Sequence, residues 1–149
     1  MYTINRSALV AFSDQQMYDL INDIDSYQLF LPWCGGSNII ERMHTEKGDD
    51  HIIGSVTIAF KGVNKTFTTK NTPTPFNEIR MELVDGPFSE LTGSWQFKAL
   101  NESACKVSLN LEFGFANRIV GAVIGPIFSK IADSMVESFC ERAQVIYGE

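Results

Sequence analysis

The chain predicts an α+β fold: one antiparallel sheet of seven strands, two short helices after the first strand, and one long helix at the C-terminal end. Two observations carry this reading. Between residues 38 and 115, apolar and polar residues alternate with a period of two, as in strands buried on one side. Residues 119 to 147 instead place apolar side chains in two adjacent helical columns. One is Ile119, Val123, Ile127, Ile131, Met135, Phe139 and Ala143; the other is Val120, Ile124, Phe128, Ala132, Val136 and Cys140. Ser129, Lys130, Asp133, Ser134, Glu137, Ser138, Glu141 and Arg142 take the remaining face. Each column steps by four residues, so the stripe drifts roughly 40° per step around a helix of about 3.6 residues per turn. A flat surface cannot follow such a stripe, whereas a twisted, curled sheet can.

The elements follow in order. Tyr2 to Phe12 alternates as a first strand. Ser13 is a helix N-cap with Gln16 at the capping-box position, and the helix covers Asp14 to Ile24. Asp25 to Leu31 is a second helical turn, stopped at Pro32. Asn38 to Thr45 and His51 to Lys61 are strands joined by a Lys47-Gly48-Asp49 turn. Gly62 separates the latter from a strand over Val63 to Thr72, and Pro73 and Pro75 mark the next turn. Glu78 to Asp85, Glu90 to Leu100 and Ala104 to Phe115 complete the sheet, divided by Gly86-Pro87 and by Asn101-Glu102-Ser103. The last helix is roughly 40 Å long at about 1.5 Å per residue. Pro126 interrupts it after Gly125. A helix-interior proline costs about 3 kcal/mol, so this point reads as a kink or break, with Arg118 to Ile124 as a separate flap.

Composition narrows the function. The 149 residues are one domain, 1–149, with enough chain to bury a core. Net charge is −6, from 12 Lys+Arg against 18 Asp+Glu, so any attraction to nucleic acid must come from a local patch. The start, Met1-Tyr2-Thr3-Ile4, enters a strand pattern at once, without a signal-peptide core. Cys34, Cys105 and Cys140 form no CxxC pair and leave an odd thiol, which suits a reducing cytosol. The expected location is therefore cytoplasmic, peripheral at the inner face of the membrane where the apolar lip described below meets it.

Signatures of catalysis are missing from the pattern. Neither His44 nor His51 has a ligand partner three or four residues away, so no metal site is expected. No nucleophile elbow, phosphate-cradling glycine loop or dinucleotide fingerprint is present. Cys34 reads as a packed, inert thiol. The chain is read as a binding protein with no catalytic residue and no required cofactor.

One helix over seven strands leaves part of the sheet face uncovered, and Gly54 and Gly93 at inward positions leave gaps. The expectation is an apolar cavity of roughly 300–1,000 Å³. Its lining is read as Val56, Phe60, Phe67, Leu83, Trp95, Leu109, Phe113, Ile127, Phe128, Ile131 and Met135. Phe30, Leu31, Pro32 and Trp33 form an apolar lip at its mouth, with Arg118 to Gly125 opposite as a gate. Such a lip can touch a membrane surface without a spanning helix. Against this stands the reading in which Trp95, Phe97, Phe113 and Phe139 simply fill the space as core.

The stretch Asp23-Ile24-Asp25-Ser26-Tyr27-Gln28-Leu29-Phe30-Leu31-Pro32-Trp33-Cys34 resembles the D-x-x-x-Y-x-x-F-[LV]-P-x-C signature of the coenzyme-Q-binding START-domain family. Lys65-Thr66-Phe67-Thr68-Thr69 and Asp85-Gly86-Pro87-Phe88, followed by Leu91, Trp95 and Phe97, are similar to its later motifs. The resemblance covers nearly the whole chain. It implies a helix-grip fold, a curled sheet around the long helix with an apolar tunnel between. It also implies a bound ubiquinone or related polyprenyl quinone supporting respiratory electron transport. The family's bacterial members include ribosome association toxins that bind the large ribosomal subunit and block 70S formation, and this chain's length and DGPF region are most similar to theirs. For that alternative, Lys61, Lys65, Lys70 and Arg80 are the candidate basic contacts. A polyketide-cyclase-type enzyme shares the fold, but no inward acid–base pair is evident.

Overall fold

The computed structural model describes residues 2–44, 46 and 50–148. It contains strands β1 (Tyr2–Val10), β2 (Cys34–Met43), β3 (His51–Phe60), β4 (Val63–Thr74), β5 (Glu78–Asp85), β6 (Phe88–Asn101) and β7 (Ala104–Phe115). Helix α1 (Asp14–Asn22) and a 3-10 helix (Ile24–Leu29) follow β1, and α2 (Arg118–Tyr147) ends the chain. All strand pairs are antiparallel, in the order β1-β7-β6-β5-β4-β3-β2. This is the predicted architecture and element order. The expected turn at Lys47-Gly48-Asp49 lies outside the described residues.

Local chemistry explains the joints. The Ser13 hydroxyl accepts from Gln16 N at 3.1 Å while the Gln16 side chain accepts from Ser13 N at 2.9 Å, closing the capping box that starts α1. Phe60 pairs with Val63 across a two-residue turn in which Lys61 (φ 50°) and Gly62 (φ 84°) both take positive φ, the form whose twist suits a hairpin. Register shifts at Cys34/Gly36, Ile39/Glu41, Thr68/Thr69, Phe88/Glu90 and Ala99/Asn101 bend the strands and curl the sheet around α2. α2 packs against β1, β7 and α1. Arg6 on β1 ties it further, through Asp133 at 2.5 Å.

Several boundaries shift by a few residues, α1 ending at Asn22 and not Ile24 and β6 starting at Phe88 and not Glu90, and three differences have a clear physical cause. β2 begins at Cys34, not Asn38, and takes in Gly35 and Gly36. A Cβ at Gly35 would stand 2.7 Å from that of Ala59 on β3, so glycine here permits close strand approach. β4 continues through Pro73, paired with Ile79. It has lost β3 as a neighbour beyond Asn71, so the missing N–H of Pro73 faces no partner strand. The turn therefore falls later, at Pro75 to Asn77, with Phe76 at φ 65°. Finally, α2 runs unbroken through Pro126 from Arg118, so residues 118–124 are the helix's first turns and not a separate flap. Asn117 caps them through Val120 N at 2.9 Å.

Candidate functional site

Because α2 lies over the β1–β7 side, a gap remains between it and strands β3 to β6. Ile24, Tyr27 and Trp33 from the α1–β2 segment close one end. The gap is apolar, lined by Val56, Phe67, Met81, Leu91, Trp95, Leu109 and Leu111 of the sheet and by Phe128, Ile131 and Met135 of α2. It holds about 60 Å³. The expected volume of roughly 300–1,000 Å³ is therefore corrected downward: as it stands the space admits a few atoms and no quinone ring with its tail.

The reason lies in the aromatic packing. Phe139 is fully buried and stands edge-on to Tyr27 (5.2 Å), Phe30 (5.5 Å) and Trp95 (5.3 Å). Phe128 meets Phe67, Phe88 and Phe113 in the same manner. Gly54 does leave an inward gap, but Ile24 occupies it, its Cδ1 being 2.7 Å from where a Cβ would sit. At Gly93 the corresponding space is taken by Leu111 and the Asn110 carbonyl.

Of the residues read from the sequence as ligand-binding, Trp33, Val56, Phe67, Trp95, Leu109, Phe128, Ile131 and Met135 come together around this cavity. Phe113 is fully buried behind Phe128, and Phe60, Leu83 and Ile127 are half-buried outside the lining. The lip is not one surface. Leu31 and Trp33 are buried in the core, Pro32 is exposed, and Phe30 sits between Phe139 and the Arg142 guanidinium, 5.0 Å from the latter. Residues 118–125 pack instead over Tyr2 and Phe115, near the opposite end of α2. The two halves of the expected gate therefore do not face each other.

The polar groups of the lining are few. Tyr27 donates its hydroxyl to the Ile21 carbonyl, and burial, with Asp23 and Cys34 nearby, pushes its pKa upward. Asn71, itself buried, accepts from the Thr69 hydroxyl at 2.9 Å. The buried Trp33 Nε1–H has no acceptor among the described residues. No carboxylate, imidazole or amine stands among the described lining residues, and no group of three or more His, Cys, Asp or Glu that could hold a metal occurs among the described residues. Ile24, Tyr27, Gly54, Thr69, Asn71, Met81, Leu91 and Leu111 were not read as site residues. Only strand phase, which sets Thr69 and Asn71 in line with Phe67, carried a signal for any of them.

The four candidate basic contacts do not share a face. Lys65 is in phase with the inward Phe67 at an exposed strand end, and Lys61 is in the β3–β4 turn. Lys70 and Arg80 lie on the outer face of the sheet, where each has an acid beside it. Lys70 pairs in register with Glu82, and Arg80 bonds Glu78 at 3.2 Å. Strand register produces a different cationic pair. Lys98 on β6 stands directly opposite Lys106 on β7, both exposed, at the end of an outer face that also carries Thr92, Ser94, Gln96, Ser108 and Asn110, with Glu112 at its far end opposite Thr92 and Glu78 bonded by Gln96 at 3.3 Å.

A family model described as polyketide cyclase / dehydrase and lipid transport matches residues 10–140. The chain belongs to this family. Within it, the chain is 45 % identical over 149 residues to the ribosome association toxin RatA of Vibrio cholerae, covering 100 % of both proteins. It is 25 % identical over 148 residues to the mitochondrial coenzyme Q-binding protein COQ10 homolog B of Xenopus laevis, covering 97 % of the chain and 59 % of that protein. Among solved structures, the Zhui aromatase/cyclase from Streptomyces sp. R1128 shares the fold. Its TM-score is 0.79 at 12 % identity, over 96 % of this chain and 93 % of that one. The fold is thus shared by proteins named for quite different activities, and fold alone does not choose among them.

Proposed function

We propose that this protein is a ribosome association toxin that binds the large ribosomal subunit and blocks 70S formation, without catalysis. One observation carries the reading: the identity of 45 % to the Vibrio cholerae toxin extends over all 149 residues with nothing left over in either chain. The cavity supports it indirectly. At about 60 Å³ it is too small for a prenyl quinone in this conformation, and Tyr27, the one titratable group among its described lining residues, is engaged with the Ile21 carbonyl. A surface role fits better than a reaction or a cargo.

For a chain of net charge −6, contact with ribosomal RNA must be local. The facing Lys98 and Lys106 and the hydrogen-bonding row beside them form the surface we assign to it. Like charges directly opposed on a sheet are unfavourable by roughly 0.2–1 kcal/mol, and a phosphate between them reverses that sign. The test is a sucrose gradient of 30S and 50S subunits mixed with the purified protein at joining magnesium concentration. The 70S peak should shrink and the free subunits rise in proportion. Lys98→Glu with Lys106→Glu should restore the 70S peak. An unchanged profile with the wild type would refute the function, and full inhibition by the double variant would refute the assigned surface alone.

A second reading rests on the apolar lining and on the family's lipid-transport members. The cavity would hold the end of an isoprenoid chain, such as that of ubiquinone, once α2 moves outward. Mass spectrometry of an organic extract of the purified protein tests it, and the absence of any prenyl lipid would count against it.

A further inference from the structure

The first turns of α2 are built inside out. Gly121 and Gly125 face the sheet. The Phe115 Cβ lies 3.4 Å from where a Cβ on Gly121 would be, and the Tyr2 hydroxyl 2.7 Å from that on Gly125. Ile124 is buried between them and Val120 packs partly against the core, while Ile119 and Val123 point to water. Ile119 is 79 % exposed and Val123 56 %, with Ala122 and Pro126 exposed beside them. A surface helix ordinarily buries its branched apolar residues and exposes polar ones. Here the glycines hold the helix down and leave an apolar stripe outside. By length and composition α2 could cross a bilayer, and its most apolar 18-residue window is only 33 % buried. Its packing on β1 and β7 and its Arg6–Asp133 tie keep it in the fold, so the stripe can only lie on a surface.

Along the helix itself, the charges beside the stripe have one sign. From Ala116 to Ala132 the only charged side chains are Arg118 and Lys130, in a chain that is strongly acidic overall. Both are exposed, and Lys130 falls seven residues after Val123, on the same helix face. The helix N-terminus adds its positive dipole end. The next acid on the helix, Asp133, is neutralised by Arg6.

We propose that this face docks on the surface of an anionic lipid bilayer. Ile119, Val123 and Pro126 enter the boundary between headgroups and acyl chains, and Arg118 and Lys130 meet lipid phosphates. Nucleic acid supplies the anions but gives the apolar stripe nothing to bury. A second copy across a two-fold axis sets Arg118 and Lys130 against their own kind. A lipid interface satisfies both features.

The test is flotation of the purified full chain with vesicles of phosphatidylcholine alone and of phosphatidylcholine with phosphatidylglycerol at about 2:1, at low salt. The protein should float with the anionic vesicles and remain behind with the neutral ones. Arg118→Gln and Lys130→Gln should each weaken binding about fivefold. Val123→Glu should abolish flotation while its thermal melt matches the wild type, the side chain being exposed. No flotation of the wild type, equal flotation of Val123→Glu, or a concentration-dependent dimer that Val123→Glu dissociates would each overturn the proposal.

Discussion

Phe139 is where the helix, the sheet and the 3-10 segment meet, so Phe139→Ala should test how α2 is gripped. Its ring is fully buried and makes three edge-on contacts, to Tyr27, Phe30 and Trp95. Truncating a buried Phe to Ala costs about 3–5 kcal/mol. Each aromatic pair lost adds about 0.5–1.5 kcal/mol beyond area burial, which places this site in the upper half of that range, at about 4–5 kcal/mol. For a chain of this length, each kcal/mol moves Tm by about 2–4 °C, giving a fall of roughly 8–20 °C. Far-UV circular dichroism on heating measures it. Val145→Ala on the same helix, at a position 71 % exposed, serves as control and should move Tm by less than about 2 °C. A Phe139→Ala melt within about 3 °C of wild type would mean that the helix is not held there.

Three further outcomes follow from the geometry. Ser13→Ala removes the hydroxyl that accepts from Gln16 N, while the residue-13 N–H can still donate to the Gln16 side chain, and should cost about 1 kcal/mol, seen as a small shift of the urea midpoint; no shift would show α1 to be held by packing alone. Pro126→Ala restores an N–H at an exposed helix-interior position and should raise stability by up to about 3 kcal/mol, whereas a lower Tm would show that the proline is needed there. Burial, with Asp14 and Cys140 nearby, pushes the Cys105 thiol up from 9.0 to about 11, and burial moves Cys34, Cys140 and Tyr27 the same way. The unfolded chain then gives up these protons first as pH rises. Stability should be level up to about pH 9 and fall between about 9 and 11. A urea midpoint that is flat or rising across that window would contradict the burial of these groups.

Sequence pattern and structure agree where a single local rule decides. β6 and β7 each bury one face, so alternation alone placed Leu91, Trp95, Phe97, Val107, Leu109 and Phe113 inward. Ser13 and Gln16 announced α1 because a capping box spans only four residues. Agreement ends where a decision belongs to distant residues. The strand expected from Asn38 begins four residues earlier, at Cys34, because β3 comes within reach of Gly35 and Gly36. Pro73 looked like a stop until its free side proved to face no strand. Pro126 looked like a break, yet the helix continues because packing on β1 and β7 outweighs one lost hydrogen bond. The cavity's volume depended on Ile24 filling the space beside Gly54, which no spacing reveals. Nor does spacing set Lys98 opposite Lys106, since that requires the register of two strands. The helix columns also hid the inversion at the N-terminal end of α2. Ile119 and Val123 continue the apolar stripe in sequence, but the curled sheet has turned away beneath them.

The proposed binding to the ribosome is tested by pelleting of the purified protein with isolated large or small ribosomal subunits through a sucrose cushion, over a range of protein concentrations. Binding through the Lys98–Lys106 face gives saturable pelleting with the large subunit, none with the small subunit, and loss of pelleting for the Lys98→Glu, Lys106→Glu double variant. Protein that stays in the supernatant with both subunits at every concentration would contradict it.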